Sequence, residues 1–159
     1  MNPPNPSRSI AAYAALLALT FAAPAVAAFF PGPGEWYAGL TKPAWNPPGW
    51  VFGPVWTLLY LLMATAAWRV WRRTGLVSRP MTLYFLQLAL NAAWTPVFFG
   101  ARAITPALIV LLVLFAAIVA TLDAFRRVDR AAAWLLAPYL AWSGFATFLN
   151  FTLWRLNPP

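Results

Sequence analysis

Cysteine and histidine are both absent from this chain, and only three of its 159 residues are acidic. Without cysteine there is neither a disulfide framework nor a thiolate nucleophile. Without histidine the chain lacks the commonest general base and the commonest metal ligand. The acidic residues are Glu35, Asp123 and Asp129, too few for a carboxylate metal site or an acid–base pair. We therefore expect no metal, no cofactor and no conventional acid–base active site.

Charge of either sign is also scarce, because charged residues make up 9% of the chain and hydrophobic residues 62%. A soluble domain carries about 25% charged residues. A domain of this size exposes much of its surface, and its core is too small to bury so large a share of hydrophobic residues. The composition predicts a membrane protein. The basic residues that give the net charge of +8 lie at the ends of apolar runs. This placement is typical of membrane proteins that contact lipid headgroups rather than of a nucleic-acid-binding groove.

Five apolar runs are long enough to cross about 30 Å of hydrocarbon as helices, which takes roughly 20 residues. They lack the alternating pattern of a membrane barrel. Each contains a proline, which lipid tolerates only where neighbouring helices satisfy the freed carbonyl. The pattern predicts an all-α membrane protein, a single five-helix transmembrane domain over residues 1–159. The predicted spans are Ser9–Phe30, Val51–Trp71, Met81–Gly100, Ala103–Phe125 and Ala131–Trp154.

The basic residues predict the topology. One side of the membrane holds the segment before the first span, the links after the second and fourth spans, and Arg69 at the end of the second span. This side carries eight of the 11 Lys and Arg residues. The other side holds Lys42, Arg102 and Arg155. The positive-inside rule therefore places the N-terminus in the cytoplasm, and places the 31–50 connector and the C-terminus across the membrane.

The first span has an alternative interpretation as a signal peptide. Arg8, the apolar run and the small residues at 25–27 fit a secretory signal with its cleavage site. Cleavage there would leave four spans. The apolar run is over-long for a signal sequence and continues through Phe29 and Phe30, which favours five spans.

The connector between the first two spans contains EWYAGLTKPAWNPPGW, residues 35–50. Its three prolines are expected to prevent helix formation and to lower its conformational entropy, while its aromatic rings supply apolar surface. We interpret it as a preformed lid over the mouth of the bundle; an interfacial aromatic belt is the alternative. The predicted lid residues are Trp36, Lys42, Trp45 and Trp50.

Three of the spans each carry an aromatic stripe at helical spacing, and two of these stripes include amides. Taken singly, each amide is explained by helix–helix hydrogen bonding, worth about 1 kcal/mol in membranes. Taken together, the stripes predict an uncharged cavity for a flat hydrophobic polycyclic ligand. A metal-free porphyrin or a sterol fits better than haem, which lacks its usual axial ligands here. The stripes are Trp56 and Tyr60; Gln87, Asn91, Trp94 and Phe98; and Tyr139, Trp142, Ala146, Leu149 and Asn150.

Three stretches resemble the signature sequences of the translocator protein family: WYAGLTKPAWNPPGWVFGPVWTLLYLLM, QLALNAAWTPVFFGAR and PYLAWSGFATFLNFTLWRLN. This family comprises the tryptophan-rich sensory proteins of bacteria and the peripheral benzodiazepine receptors of mitochondria. The resemblance runs from about residue 30 to residue 157. It implies a five-helix bundle and a homodimer that binds porphyrins, sterols and benzodiazepine-site drugs. It also implies a multi-pass protein of a bacterial inner or outer membrane, or of the mitochondrial outer membrane.

The resemblance further implies a pocket between the connector and helices one, two, three and five. Trp56 and Trp142 match tryptophans implicated in light- and oxygen-dependent porphyrin breakdown, and they are the only candidate catalytic residues. The family's sterol motif needs a tyrosine where this chain has Phe151, which weakens the expectation of sterol binding there. The implied ligand contacts are Tyr37, Pro47, Trp56, Tyr60, Asn91, Trp94, Trp142, Ala146, Leu149 and Asn150.

Four functions are compatible with these features. A binding protein that senses or handles tetrapyrroles leads; a porphyrin or sterol transporter, a photo-oxidative porphyrin-degrading enzyme and a purely structural membrane protein are the alternatives. A transporter has no mid-span coupling carboxylate here, since Asp123 lies near a span end with Arg127 one turn later as its partner. The stripe Ala116, Ala120 and Ala124 is interpreted either as a dimer face or as packing within the chain.

Overall fold

The computed structural model describes residues 6–30 and 32–158, and no strand occurs in that part of the chain. The fold is all-α, as the sequence predicts. A 3₁₀ turn follows α1 at Val26–Phe29, another precedes α3 at Gly49–Val51, and a π-helical turn follows α4 at Pro96–Gly100. The helices are α1 (Pro6–Ala25), α2 (Glu35–Gly39), α3 (Phe52–Thr74), α4 (Arg79–Thr95), α5 (Ile104–Val128) and α6 (Arg130–Leu156).

Within residues 6–30 and 32–158, four helical segments are long and apolar enough, taken singly, to cross a membrane. They are Pro6–Ala25, Gly49–Thr74, Ile104–Val128 and Arg130–Leu156. The predicted span Met81–Gly100 is instead divided between α4, of 17 residues, and the π-helical turn. The chain is therefore an integral multi-pass membrane protein.

Proline chemistry explains where α4 changes its winding. Pro96 has no N–H to donate to the carbonyl four residues earlier, so the regular ladder stops there. It resumes with the wider π spacing, in which the Ala101 N–H donates to the Pro96 carbonyl at 2.8 Å. Single π turns of this kind are frequent at functional sites.

The connector is more helical than its prolines predict. The short helix α2 forms over Glu35–Gly39, so the expectation that prolines exclude helix from the whole 35–50 stretch is wrong. All three prolines lie downstream of α2, beginning with Pro43, and a proline excludes helix only around its own position. Lys42 then donates to the carbonyls of Ala38 and Leu40 at the end of α2, at 2.9 and 3.0 Å.

One end of the bundle, called here the arginine end, collects the charged contacts. Asp129 caps α6 by accepting from the backbone N–H groups of Ala131 and Ala132. The same carboxylate binds Arg69 at 2.9 Å and Arg73 at 3.3 Å on α3. Asp129 is 6% exposed, whereas Arg69 and Arg73 are 36% and 55% exposed, so these three charges tie α3 to α6 at the edge of the bundle.

The ion pair predicted from spacing for Asp123 is also present. Its carboxylate lies 2.7 Å from Arg127 and 3.0 Å from Arg126. Both contacts lie on the surface of α5 within one helical turn, where such pairs contribute little to stability. Asp123 therefore belongs to the arginine end and not to the middle of a span.

The first helix packs on its neighbours through buried polar contacts. The indole N–H of Trp68 donates to the Ser9 carbonyl at 3.1 Å. Deeper in the bundle, Thr20 donates to its own helix and accepts from the Tyr84 hydroxyl at 2.6 Å. These bonds join α1 to α3 and to α4, and they direct the last turns of α1 toward the connector end, which is the end opposite the arginines.

Candidate ligand-binding site

A cavity of about 520 Å³ occupies the connector end of the bundle. Its walls come from α1, the connector, α3, α4, α5 and α6. All ten ligand contacts implied by the family resemblance line it: Tyr37, Pro47, Trp56, Tyr60, Asn91, Trp94, Trp142, Ala146, Leu149 and Asn150. The structure thus brings the predicted residues together, while what they bind stays a prediction.

The floor of the cavity is a chain of two hydrogen bonds centred on Asn91. The Tyr60 hydroxyl donates to the Asn91 side-chain oxygen at 2.8 Å, and the Asn91 amide donates to the Tyr139 hydroxyl at 3.2 Å. Trp56 stacks on Tyr60 with ring centroids 5.2 Å apart and meets Tyr139 edge-on at 6.1 Å. Asn91 therefore links α3, α4 and α6 and fixes the ring planes above it.

Flat aromatic faces form the remaining walls. Trp94 stacks on Phe98 at 4.9 Å with only 16° between the rings. On α6, Trp142 contacts Phe52 with ring centroids 5.8 Å apart and Phe145 with ring centroids 5.4 Å apart. These geometries are the favoured offset and edge arrangements of aromatic pairs, so each ring is held by its neighbour.

No side chain with a formal charge lines the cavity among the residues that the structure describes. Its polar groups are phenols, hydroxyls, indole N–H groups and amides. Such a lining suits an uncharged, flat, largely apolar molecule that is oriented by a few hydrogen bonds. Trp56 and Trp142, the only candidate redox residues, both face this space.

The connector contributes to the cavity lining with residues other than those predicted as the lid. Gly32, Pro33, Tyr37, Asn46, Pro47 and Gly49 line it. The Tyr37 hydroxyl donates to the Asn46 side-chain oxygen at 3.3 Å. Burial raises the pKa of Tyr37, and this hydrogen bond offsets only part of the rise, so the phenol stays neutral at physiological pH.

None of the predicted lid residues, Trp36, Lys42, Trp45 and Trp50, lines the cavity. Trp36 meets Phe98 edge-on at 5.4 Å, so it packs behind the cavity wall. Trp45 stacks on Phe148 at 5.2 Å on the outer face of α6 and is 43% exposed. Trp50 is 76% exposed. Two of these tryptophans brace the connector against the bundle, and the lid function of the set stays a prediction.

Two hydrogen bonds between the Asn157 side chain and the Thr41 backbone hold the connector against the end of α6. The Thr41 N–H donates to the Asn157 side-chain oxygen at 2.9 Å, and the Asn157 amide donates back to the Thr41 carbonyl at 3.0 Å. The same amide group also donates to the Leu153 carbonyl at 2.9 Å. Asn157 therefore bridges two segments that lie far apart in sequence, and nothing in the sequence pattern signals it.

Sequence reasoning also missed part of the lining. Ser143 lines the cavity and is 2% exposed; its position four residues after Tyr139 on the same helix face was the available signal. Gln87, by contrast, belongs to the predicted α4 stripe but does not line the cavity. It is 1% exposed, and neither its side-chain oxygen nor its nitrogen has a hydrogen-bond partner.

Known proteins resemble most of this chain. The model of the TspO/MBR family matches residues 11–155. The translocator protein of Homo sapiens is 50% identical over 127 residues, which cover 77% of this chain and 75% of that protein. The tryptophan-rich sensory protein of Cereibacter sphaeroides is 47% identical over 135 residues, 85% of each chain. The tryptophan-rich protein TspO of Chlorobaculum tepidum is 44% identical over 135 residues, 82% of this chain and 85% of that protein. A match of this extent shows that the chain belongs to the TspO/MBR family.

Proposed function

We propose that this protein binds a flat, metal-free tetrapyrrole of the protoporphyrin type in the connector-end cavity and acts as a sensor or handler of porphyrin. One observation carries the proposal: an uncharged cavity of about 520 Å³ with broad aromatic faces. A planar macrocycle gains most from such walls, because stacking and edge contacts act over its whole area. Cavities of roughly 300–1,000 Å³ are typical of sites for molecules of drug size.

The proposal includes five transmembrane helices. Residues 79–100, taken as α4 with its π-helical turn, extend roughly 30 Å at 1.5 Å per residue, which matches the hydrocarbon thickness of a bilayer. Tyr84 on α4 is fully buried and bonded to Thr20 on α1, so α4 lies inside the bundle. A helix with that length and burial fits a membrane span better than a segment lying on the surface.

Ligand orientation follows from charge. Porphyrin carboxylates are costly in the bilayer interior, and the cavity lining offers them no cation. We therefore place the carboxylates at the connector mouth, near the headgroups, and the apolar macrocycle between Trp94 and Trp142. A sterol is the second ligand class, although Phe151 replaces the tyrosine of the sterol motif.

A photo-oxidative activity is the alternative that a specific observation favours, because Trp56 and Trp142 line one cavity. A bound porphyrin between two indoles would be an efficient photosensitiser in the presence of oxygen. This activity predicts a light-dependent product that forms in the unmodified protein and is lost in Trp56→Phe. Binding in the dark would persist in that variant.

The test is a fluorescence titration of the detergent-purified protein with metal-free protoporphyrin, first in the dark and then under light. We expect saturable quenching whose midpoint rises several-fold in Trp142→Phe and in Asn91→Ala. Trp134→Phe is the matched control, since Trp134 is 77% exposed and outside the cavity lining. Midpoints are compared rather than amplitudes, because each variant changes the total emission.

Two results would contradict the proposal. Quenching that never saturates would mean that the porphyrin partitions into micelles. Equal midpoints in Trp142→Phe, Asn91→Ala and the Trp134→Phe control would mean that it binds elsewhere. A spectral change that appears only under light, and disappears in Trp56→Phe, would instead favour the enzyme.

A further inference from the structure

The polar groups of the cavity divide into satisfied and unsatisfied sets. Asn91 is satisfied, because it accepts from the Tyr60 hydroxyl and donates to the Tyr139 hydroxyl. The indole nitrogen of Trp94, the hydroxyl of Ser143 and both amide atoms of Asn150 are buried and have no partner. All three of these residues line the cavity, and their polar atoms lie just behind its surface. Buried polar atoms are rarely left unpaired in native proteins. Gln87 is also unpaired but does not line the cavity, whereas Trp94, Ser143 and Asn150 border a space in which a ligand could supply the partner.

Helix register places two of these groups at the same depth. α4 and α6 both run from the arginine end to the connector end, and Asn91 bonds to Tyr139 between them. Trp94 lies three residues beyond Asn91, and Ser143 lies four residues beyond Tyr139. At 1.5 Å per residue both sit about one turn above the floor. Asn150, a further seven residues along α6, sits roughly 10 Å nearer the mouth.

The Ser143 hydroxyl is unusual in its own helix. Serine and threonine hydroxyls within helices commonly bond to the carbonyl one turn back, and Thr147 does so, donating to the Ser143 carbonyl at 2.8 Å. The Ser143 hydroxyl makes no bond of this kind. Its proton is therefore available to donate to a ligand atom in the cavity.

The chemistry of this inner pair limits what it binds. An indole N–H only donates, and a serine hydroxyl has one proton to donate. Two donors, one from α4 and one from α6, with no cation beside them, suit a neutral acceptor atom such as a carbonyl oxygen or an unprotonated ring nitrogen. A carboxylate would lack a counter-charge at this depth.

We propose, building on the proposed function, that Trp94 and Ser143 together bind one neutral hydrogen-bond acceptor of a flat apolar ligand. Ser143 is then a specificity-determining residue. The aromatic walls select for a planar shape, and the inner pair selects, among planar molecules, those that carry an acceptor at the depth of Ser143.

The experiment uses two probes that differ by one carbonyl group, 9-fluorenone and fluorene. Each displaces metal-free protoporphyrin from the purified protein, and the porphyrin's visible fluorescence reports an inhibition constant. The measured quantity is the ratio of the fluorene constant to the fluorenone constant. Taking this ratio relative to the unmodified protein cancels the different micelle partitioning of the two probes.

We expect Ser143→Ala and Trp94→Phe each to lower this ratio about fivefold, as the loss of one hydrogen bond implies. Thr147→Val is the matched control, because it also removes an α6 hydroxyl, one that already has a backbone partner and lies outside the cavity lining. Its ratio should equal that of the unmodified protein.

The outcomes separate the two proposals. Porphyrin that binds and is displaced, with the same ratio in Ser143→Ala, Trp94→Phe and Thr147→Val, would overturn the inner-pair inference and leave the proposed function standing. A fall of the same size in Thr147→Val would also overturn it, since the effect would then be a general one of α6. Absence of saturable, displaceable porphyrin would overturn the proposed function and the inference with it.

Discussion

The two ends of the bundle are built from different residues. At the arginine end, small and flexible side chains close the space between helices; Met63, Ala66, Ala67, Val70 and Met81 are all fully buried. At the connector end, large rings stand against one another and leave about 520 Å³ between them. Alanine lets backbones approach closely in membranes, whereas rings that hold each other edge-on cannot collapse into the space beside them.

Polar groups follow the same division. At the arginine end Asp129 is paired with Arg69 and Arg73. In the middle of the bundle Thr20 is paired with Tyr84, while the buried amide of Gln87 has no partner. At the connector end the indole of Trp94 and the side chains of Ser143 and Asn150 are left without partners. Unsatisfied buried groups cost stability, so the connector end is less stable than full packing would allow. We infer from this difference that the arginine end contributes stability, and that the connector end gives up stability for the binding that we propose.

Filling the cavity should produce the largest effect. Ala146 lines it, and Ala146→Trp would place an indole in the volume that a planar ligand needs. We expect protoporphyrin affinity to fall at least about thirtyfold, which corresponds to about 2 kcal/mol. Fluorescence titration measures it, with thermal unfolding in detergent as the check on the fold.

The matched control for that change is Ala116→Trp. Ala116 is exposed on α5, so the same indole there should face lipid or detergent and leave the affinity unchanged. An equal loss of affinity in both variants would break the comparison, because it would place the effect of Ala146→Trp outside the cavity.

Removing the carboxylate at the arginine end should come next. Asp129→Ala leaves Arg69 and Arg73 without their partner and α6 without its N-cap. We expect a loss of about 2–3 kcal/mol in the free energy of unfolding. Asp129→Asn should lose less, since an amide oxygen still caps the helix. Porphyrin affinity per folded molecule should not change, because the site lies at the other end.

The pH dependence of this contact sharpens the same test. Burial alone raises the pKa of Asp129, but the N–H groups of Ala132 and Ala131 and the charges of Arg69 and Arg73 lower it, and the net pKa is below the ordinary value. The stabilisation is thus present above the unfolded-state pKa of about 3.9 and is lost as pH falls through the folded-state pKa. Thermal melts across acidic pH should show a steeper loss in the unmodified protein than in Asp129→Asn. If the melting temperatures of the two proteins fell equally with decreasing pH, the Asp129 contact would not be the source of this pH dependence.

Overpacking at the arginine end should have a smaller effect on stability. Ala66 is fully buried, and Ala66→Leu adds three carbon atoms where no space exists, at a cost of about 1–2 kcal/mol. Thermal unfolding measures it. Ala120→Leu on the exposed face of α5 is the control, and it should melt like the unmodified protein. Tolerance of Ala66→Leu would mean that the arginine end is not close-packed.

Much of the cavity could be predicted from the sequence because it depends on helical periodicity. Residues such as Asn91 and Trp94, or Trp142 and Ala146, share a face by spacing alone, and the family resemblance supplies the connector residues. The hydrogen bonds between Thr41 and Asn157 could not be predicted, since these residues are 116 positions apart and meet only in the folded structure. The outward stacking of Trp45 on Phe148 was hidden for the same reason.

The division of the third predicted span was also beyond the sequence pattern. An apolar run shows where a helix can form, but Pro96 decides locally whether the helix kinks, stops or widens. Packing against neighbouring helices then determines which of these backbone geometries forms. Ser143 shows the same limit at a single side chain. Its place on the α6 face follows from spacing, whereas the lack of a partner for its hydroxyl does not.

The smallest expected effect concerns how firmly the connector is held. Asn157→Ala removes both bonds to Thr41, each worth about 1 kcal/mol or less at an exposed site. The bundle itself should melt almost unchanged, because Asn157 lies beyond the last residue of α6. We expect faster hydrogen exchange at the Thr41 amide and faster porphyrin release.

Asn157→Asp refines this prediction, because it keeps an oxygen to accept from the Thr41 N–H but loses the N–H donated to the Thr41 carbonyl. Its exchange rate at Thr41 should therefore lie between those of Asn157→Ala and the unmodified protein. If release of porphyrin accelerates in the same order as this exchange, the connector must open for the ligand to leave. If exchange rises while release stays constant, the ligand leaves the cavity by a route between helices, and the connector end is a fixed wall rather than a lid.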